Sequence, residues 1–118
     1  MLRRSAEMVR EIRENMRGGQ GKVEIINLFK PGEFKGQARI CARIILEPGC
    51  SIGVHEHVGE EEIYYVVRGQ AILTDSTAEG EQVMLPGDAS LTLGGQAHAI
   101  RNGGTETLEI IALVLLYS

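Results

Sequence analysis

The chain has 118 residues, 43% apolar and 24% charged, which fits one domain built around one core. Its formal net charge is −4, and no basic block exists beyond the scattered arginines of the first seventeen residues, which argues against a nucleic-acid partner. No apolar run approaches the roughly 18 residues of a membrane span, and the charged N-terminus lacks the apolar stretch of a secretory signal. Two cysteines, Cys41 and Cys50, are too few for a disulfide framework, so separate buried thiols in a reducing cytoplasm are the expectation.

Residues 5–16 carry Met8, Val9, Ile12 and Met16 at helical spacing, with Ser5 placed to cap and Gly18-Gly19 to stop, so the pattern predicts a short N-terminal helix. Arginines there alternate with Glu7, Glu11 and Glu14, as on a solvated helix face. From residue 21 the character changes. Short β-branched runs at 22–29, 37–47, 51–57, 62–67, 70–75, 81–85, 89–93, 97–101 and 107–117 are separated by Gly, Pro, Asp or Asn. Glu47-Pro48-Gly49, Pro86-Gly87-Asp88 and Asn102-Gly103-Gly104 read as turns, and Arg68-Gly69 as a hairpin. The expectation is an all-β barrel over 21–118 preceded by a helical segment over 1–20.

All the histidines of the chain fall into one pattern: His55 and His57 two apart, and His98 downstream. Side chains at i and i+2 of a strand share a face, so Ser51, Gly53, His55 and His57 are expected together. Glu62, Tyr64 and Val66 form one face of the next strand, and His98, Ile100 and Asn102 one face of a later one. If these faces point inward, three imidazoles and one carboxylate meet in the barrel, with Gly53 leaving room for a ligand. Imidazole suits Zn, Cu, Fe and Ni, and the carboxylate widens the range toward Mn. An octahedral ion held this way keeps two positions open for water, dioxygen or a bidentate small acid. The acidic neighbours Glu60 and Glu61 read as a solvated loop.

The glycine framework sharpens this. Gly49, five residues, His55-x-His57, four residues, Glu62, six residues and Gly69 resemble the first motif of the cupin family in full. Gly87, Gly95, His98 and Asn102 are similar to its second motif, with Leu93 where a proline is usual, a change expected to loosen a turn. The resemblance implies a small single-domain cupin, a jelly-roll (double-stranded β-helix) barrel holding one divalent metal through His55, His57, Glu62 and His98. Manganese is slightly favoured among Mn, Fe, Ni and Zn.

Within the family the chain is similar to short bacterial proteins described as oxalate decarboxylase-like. Authentic oxalate decarboxylases carry an arginine three residues before the first motif histidine, a position held here by Ile52. A carboxylate substrate would then need another cation, and Arg39 and Arg43 are the candidates. Both alternate with Ile40, Ala42, Ile44 and Leu46, so they face outward if the aliphatic set faces the core. Tyr64, on the face of Glu62, is the candidate catalytic group, and Tyr64, Ile52 and Arg43 are the candidate substrate contacts; filling the barrel with an aromatic ring is an equal reading for Tyr64.

Three functional classes remain open: a metal-dependent decarboxylase, dioxygenase or isomerase acting on a small oxygen-rich molecule, a non-catalytic module binding a small molecule or metal, and a structural protein with a vestigial site. Residues 108–116 are apolar on both faces, and Ile63, Tyr65 and Val67 point away from the site, which predicts a homodimer.

Overall fold

The computed structural model describes residues 1–118. Ten strands run in the order β1 (Val9–Glu14), β2 (Lys22–Asn27), β3 (Ala38–Leu46), β4 (Ser51–Glu56), β5 (Glu60–Arg68), β6 (Ala71–Asp75), β7 (Glu81–Met84), β8 (Ala89–Thr92), β9 (Ala97–Asn102) and β10 (Leu108–Leu116). They form a six-stranded sheet, β1-β2-β3-β10-β5-β8, and a four-stranded sheet, β4-β9-β6-β7. Every pair of neighbouring strands is antiparallel, and along the regular strands side chains alternate between the space enclosed by the sheets and the outside. Val23, Ile25, Ala42, Ile44, Leu46, Val66, Leu73, Ile100, Ile110 and Ala112 fill the interior from both sheets. No helix is long and apolar enough to cross a membrane.

The expected N-terminal helix is absent. Residues 5–7 make one 3-10 turn, in which Ser5 caps nothing, and Val9–Glu14 continue as an edge strand paired with β2 from Val9↔Asn27 to Glu14↔Lys22. The reason is tertiary. Four apolar residues are too few to bury a helical stripe, and Val9 and Ile12 remain exposed. The free edge of β2 instead offers a full ladder of backbone hydrogen bonds.

The predicted turns sit where their residue types require. Gly69, between β5 and β6, has φ +84°, and a Cβ there would lie 2.6 Å from the Thr107 carbonyl oxygen, so both conformation and space demand glycine. The turn carrying Leu93 is not loosened. Leu93 N–H donates to Gln96 Oε1 at 2.9 Å and Gln96 N–H donates to Leu93 O at 3.0 Å, a closure a proline could not make because it has no N–H. Asn102 acts in a turn as well: its amide donates to Leu46 O and Glu106 O, and its oxygen accepts from Gly104 N–H.

Candidate metal centre

Three strand ends deliver the donors. His55 lies near the end of β4 and His57 just beyond it, Glu62 near the start of β5, and His98 near the start of β9. Cross-strand pairing sets His55 directly beside His98. On β5 the buried residues are Glu60, Glu62, Tyr64 and Val66, and on β9 they are His98, Ile100 and Asn102, as period-two alternation requires.

On β4 strict alternation breaks. Ile52 pairs with Ile100 and His55 with His98, so three residues of β4 span what two of β9 span. This bulge puts Ile52, not Gly53, on the inner face with His55. Ile52 is 2% exposed and forms with Ile100 an apolar floor one step below the histidine pair. Gly53 faces outward, where a Cβ would overlap the Arg17 carbonyl and the Gly19 amide nitrogen. Its small size admits the segment Met16–Gly18 against β4, rather than making room for a ligand.

The donor atoms converge. One nitrogen or oxygen from each of His55, His57, Glu62 and His98 lies within 4.8 Å of all the others. His57 Nε2 is 2.9 Å from Glu62 Oε1 and 3.0 Å from His98 Nε2; His98 Nε2 is 3.1 Å from His55 Nε2 and 3.0 Å from Glu62 Oε1. Two donors held at right angles about 2.1 Å from one cation stand about 3.0 Å apart, so the spacing fits a shared divalent ion.

The tautomers fit as well. Gly53 O can only accept, so His55 Nδ1, 2.8 Å away, carries the proton and leaves Nε2 a lone pair. An ionised Glu60 imposes the same on His57 across 2.5 Å, and His98 Nδ1 rests 2.8 Å from Thr92 Oγ1. Each ring is thereby held from behind with Nε2 facing the cluster, the arrangement that metal-ligating histidines adopt.

Electrostatics follow from this packing. Burial pushes the Glu62 carboxyl up, but the imidazoles of His55, His98 and His57 gathered around it outweigh this and hold the group at about 2. Burial also lowers His98, which favours the neutral, ligating form. Tyr64 stacks on His98 with ring centroids 4.9 Å apart and planes 3° from parallel. Burial and then the Glu62 carboxylate drive its phenol well above the ordinary range, so it stays protonated.

The two candidate arginines are committed elsewhere. Arg43 lies on the outer side of β3 and makes a two-point pair with Glu109 at 2.9 and 3.2 Å, which removes it from the interior as a substrate contact. Arg39 pairs with Glu60. Glu60 itself is 9% exposed and bonded to His57, not part of a solvated loop. Its place on the inward face of β5, two residues before Glu62, is the signal that the acidic run obscured.

A family model described as the cupin domain matches residues 42–114, and the chain belongs to the cupin family. The oxalate-binding protein of Thermotoga maritima is 40% identical over 117 residues, covering 98% of this chain and 94% of the relative. The crystal structure of a predicted oxalate decarboxylase from Thermotoga maritima superposes with a TM-score of 0.91 at 39% identity, covering 98% of this chain and 99% of that one. A cupin-superfamily sugar phosphate isomerase from Silicibacter pomeroyi shares the fold, with a TM-score of 0.75 at 22% identity over 93% of this chain and 72% of its own.

Proposed function

We propose that this chain holds one divalent transition-metal ion through His55, His57, Glu62 and His98 and uses it to capture a small carboxylate of the oxalate type. The observation that carries the reading is the convergence of four oriented donors within 4.8 Å inside the barrel. The commitment of Arg39 to Glu60 and Arg43 to Glu109 adds to it, because neither guanidinium is left to meet the charge of an acid in the interior. The Thermotoga maritima relative named an oxalate-binding protein supports the ligand class.

When bound, the ion supplies Lewis acidity and positive charge to carboxylate oxygens. The chain supplies the rest. Glu62 contributes one negative charge to the centre, Ile52 and Ile100 exclude water from its floor, and the neutral Tyr64 hydroxyl offers a donor near Glu62. Among Mn, Fe, Ni and Zn we favour Mn, since the carboxylate shifts an otherwise imidazole set toward harder ions. The two unpaired, half-buried cysteines support a reducing setting such as the cytoplasm.

A second reading, a metal-dependent decarboxylase or dioxygenase, draws on Tyr64 as the buried hydroxyl group beside the donors. Its raised phenol makes it a hydrogen-bond donor rather than a ready acid, which favours binding over turnover.

Elemental analysis of purified protein is expected to find about one ion per chain, and less than about a tenth in His98→Ala. Oxalate is expected to raise the Tm of metal-loaded protein without being consumed. Consumption that both His55→Ala and Tyr64→Phe abolish would establish the enzymatic reading instead. Wild-type protein that retains no ion after supplementation with manganese and zinc contradicts both.

A further inference from the structure

Of the three histidines, His57 alone is backed by a carboxylate, and that carboxylate is gripped in turn by an arginine. Glu60 Oε2 stands 2.5 Å from His57 Nδ1, while Arg39 Nε and Nη2 donate to its two oxygens at 2.6 and 2.8 Å. His55 and His98 rest on neutral partners, the Gly53 carbonyl and the Thr92 hydroxyl.

Two features of the backbone build this relay. Glu60 takes the inward face of β5 together with Glu62. On β3 the register slips between Val114↔Ile40 and Leu115↔Ala38, leaving Arg39 out of the ladder. A bulge of this kind re-aims a side chain. In strict alternation Arg39 would lie with Cys41 and Arg43 on the outer face; here its guanidinium reaches Glu60 at the end of the barrel.

We propose that Glu60 is a positioning residue for the metal centre, fixing His57 with its proton on Nδ1 and its Nε2 aimed at the other donors, and that Arg39 holds Glu60 in that orientation. The inference rests on the metal-binding reading above. A carboxylate behind an imidazole restricts the ring and strengthens it as a donor, and loss of such a partner weakens metal affinity about 10- to 100-fold. Arg39 acts through Glu60, so its removal has a smaller effect and adds nothing once Glu60 is gone.

The test measures Zn2+ and Mn2+ affinity by competition with a fluorescent chelator at neutral pH, with folding checked by circular dichroism. Wild type, His55→Ala, Glu60→Ala, Glu60→Gln, Arg39→Met and the Arg39→Met/Glu60→Ala double variant are compared, and the His57 ring-nitrogen shifts of zinc-loaded protein are recorded. Glu60→Ala is expected to bind about 10- to 100-fold more weakly, with the double variant no weaker. Glu60→Gln, whose amide oxygen still accepts from Nδ1–H, is expected to recover part of the loss. The signature of a protonated Nδ1 with Nε2 as the donor to the ion is expected for His57 in zinc-loaded wild type and is expected to weaken or disappear in Glu60→Ala.

Unchanged affinity and an unchanged His57 tautomer in folded Glu60→Ala, with His55→Ala defective, overturn the role of Glu60 and leave the metal centre standing. Wild-type protein that binds neither ion overturns the metal-binding reading, and this inference with it. If Glu60→Ala does not fold, wild-type affinity and tautomer in both Glu60→Gln and Arg39→Met overturn the proposal.

Discussion

Glu62 and Glu60 are two residues apart on one face of β5, yet different partners keep them ionised. At Glu62 the imidazoles overcome burial; at Glu60 the Arg39 guanidinium dominates, and both carboxyls sit at about 2 against an ordinary value of 4.5. The unfolded chain therefore takes up these protons first as pH falls. Their contribution to stability is complete above about 4.5 and is lost as pH falls toward about 2. His98, lowered by burial, works in the same direction from higher up: its contribution is present above 6.5 and erodes as the unfolded imidazole protonates below it. Denaturation of ion-free protein across pH is expected to show the midpoint falling on acidification through both windows, and a flat profile from neutrality to pH 4 would contradict the His98 environment. The four donors were legible in the sequence because ligand spacing and strand period coincide on β5 and β9. Glu60 was not, since an acidic run looks the same whether or not an arginine from a distant strand reaches it.

The elements depart from the sequence pattern where the backbone departs from regularity. Alternation places β3, β5 and β9 correctly, and the turn glycines mark the hairpins. The bulges at Ile52/His55 and Val114/Leu115 leave no signature in the residue order: strand period puts Gly53 rather than Ile52 inward, only the family resemblance places Ile52 at the site, and the reach of Arg39 emerges only from the register. The N-terminal segment fails for a related reason: sparse apolar spacing fits a helix stripe or an edge strand, and the unpaired edge of β2 decides between them. Gly53 registers the consequence. Its missing Cβ lets the chain at Arg17 and Gly19 pack on β4, so Gly53→Ala is expected to displace that segment and cost about 1–3 kcal/mol of stability, read by urea denaturation. An unchanged midpoint would show that this close packing is dispensable.

At the scale of the molecule, the outer face of the six-stranded sheet is unlike a solvated surface. Register aligns Cys41, Leu113, Ile63 and Leu91 in one row across four strands, with Ile111 and Tyr65 in the next. Tyr65, Val67 and Leu91 are exposed. We propose that a second copy covers this face, as the apolar character of both faces of β10 predicts. Sedimentation at micromolar concentration is expected to give a dimer that Leu91→Lys dissociates, whereas a wild-type monomer would contradict the assignment. The site itself lies between the sheets, so the dissociated variant is expected to retain its ion. In the proposed function a carboxylate reaches the protein through the metal. Calorimetric titration of oxalate into manganese-loaded and metal-stripped protein tests this most directly: saturable binding to the loaded protein alone, lost in His55→Ala, is the predicted result, and equal binding to stripped protein would contradict it.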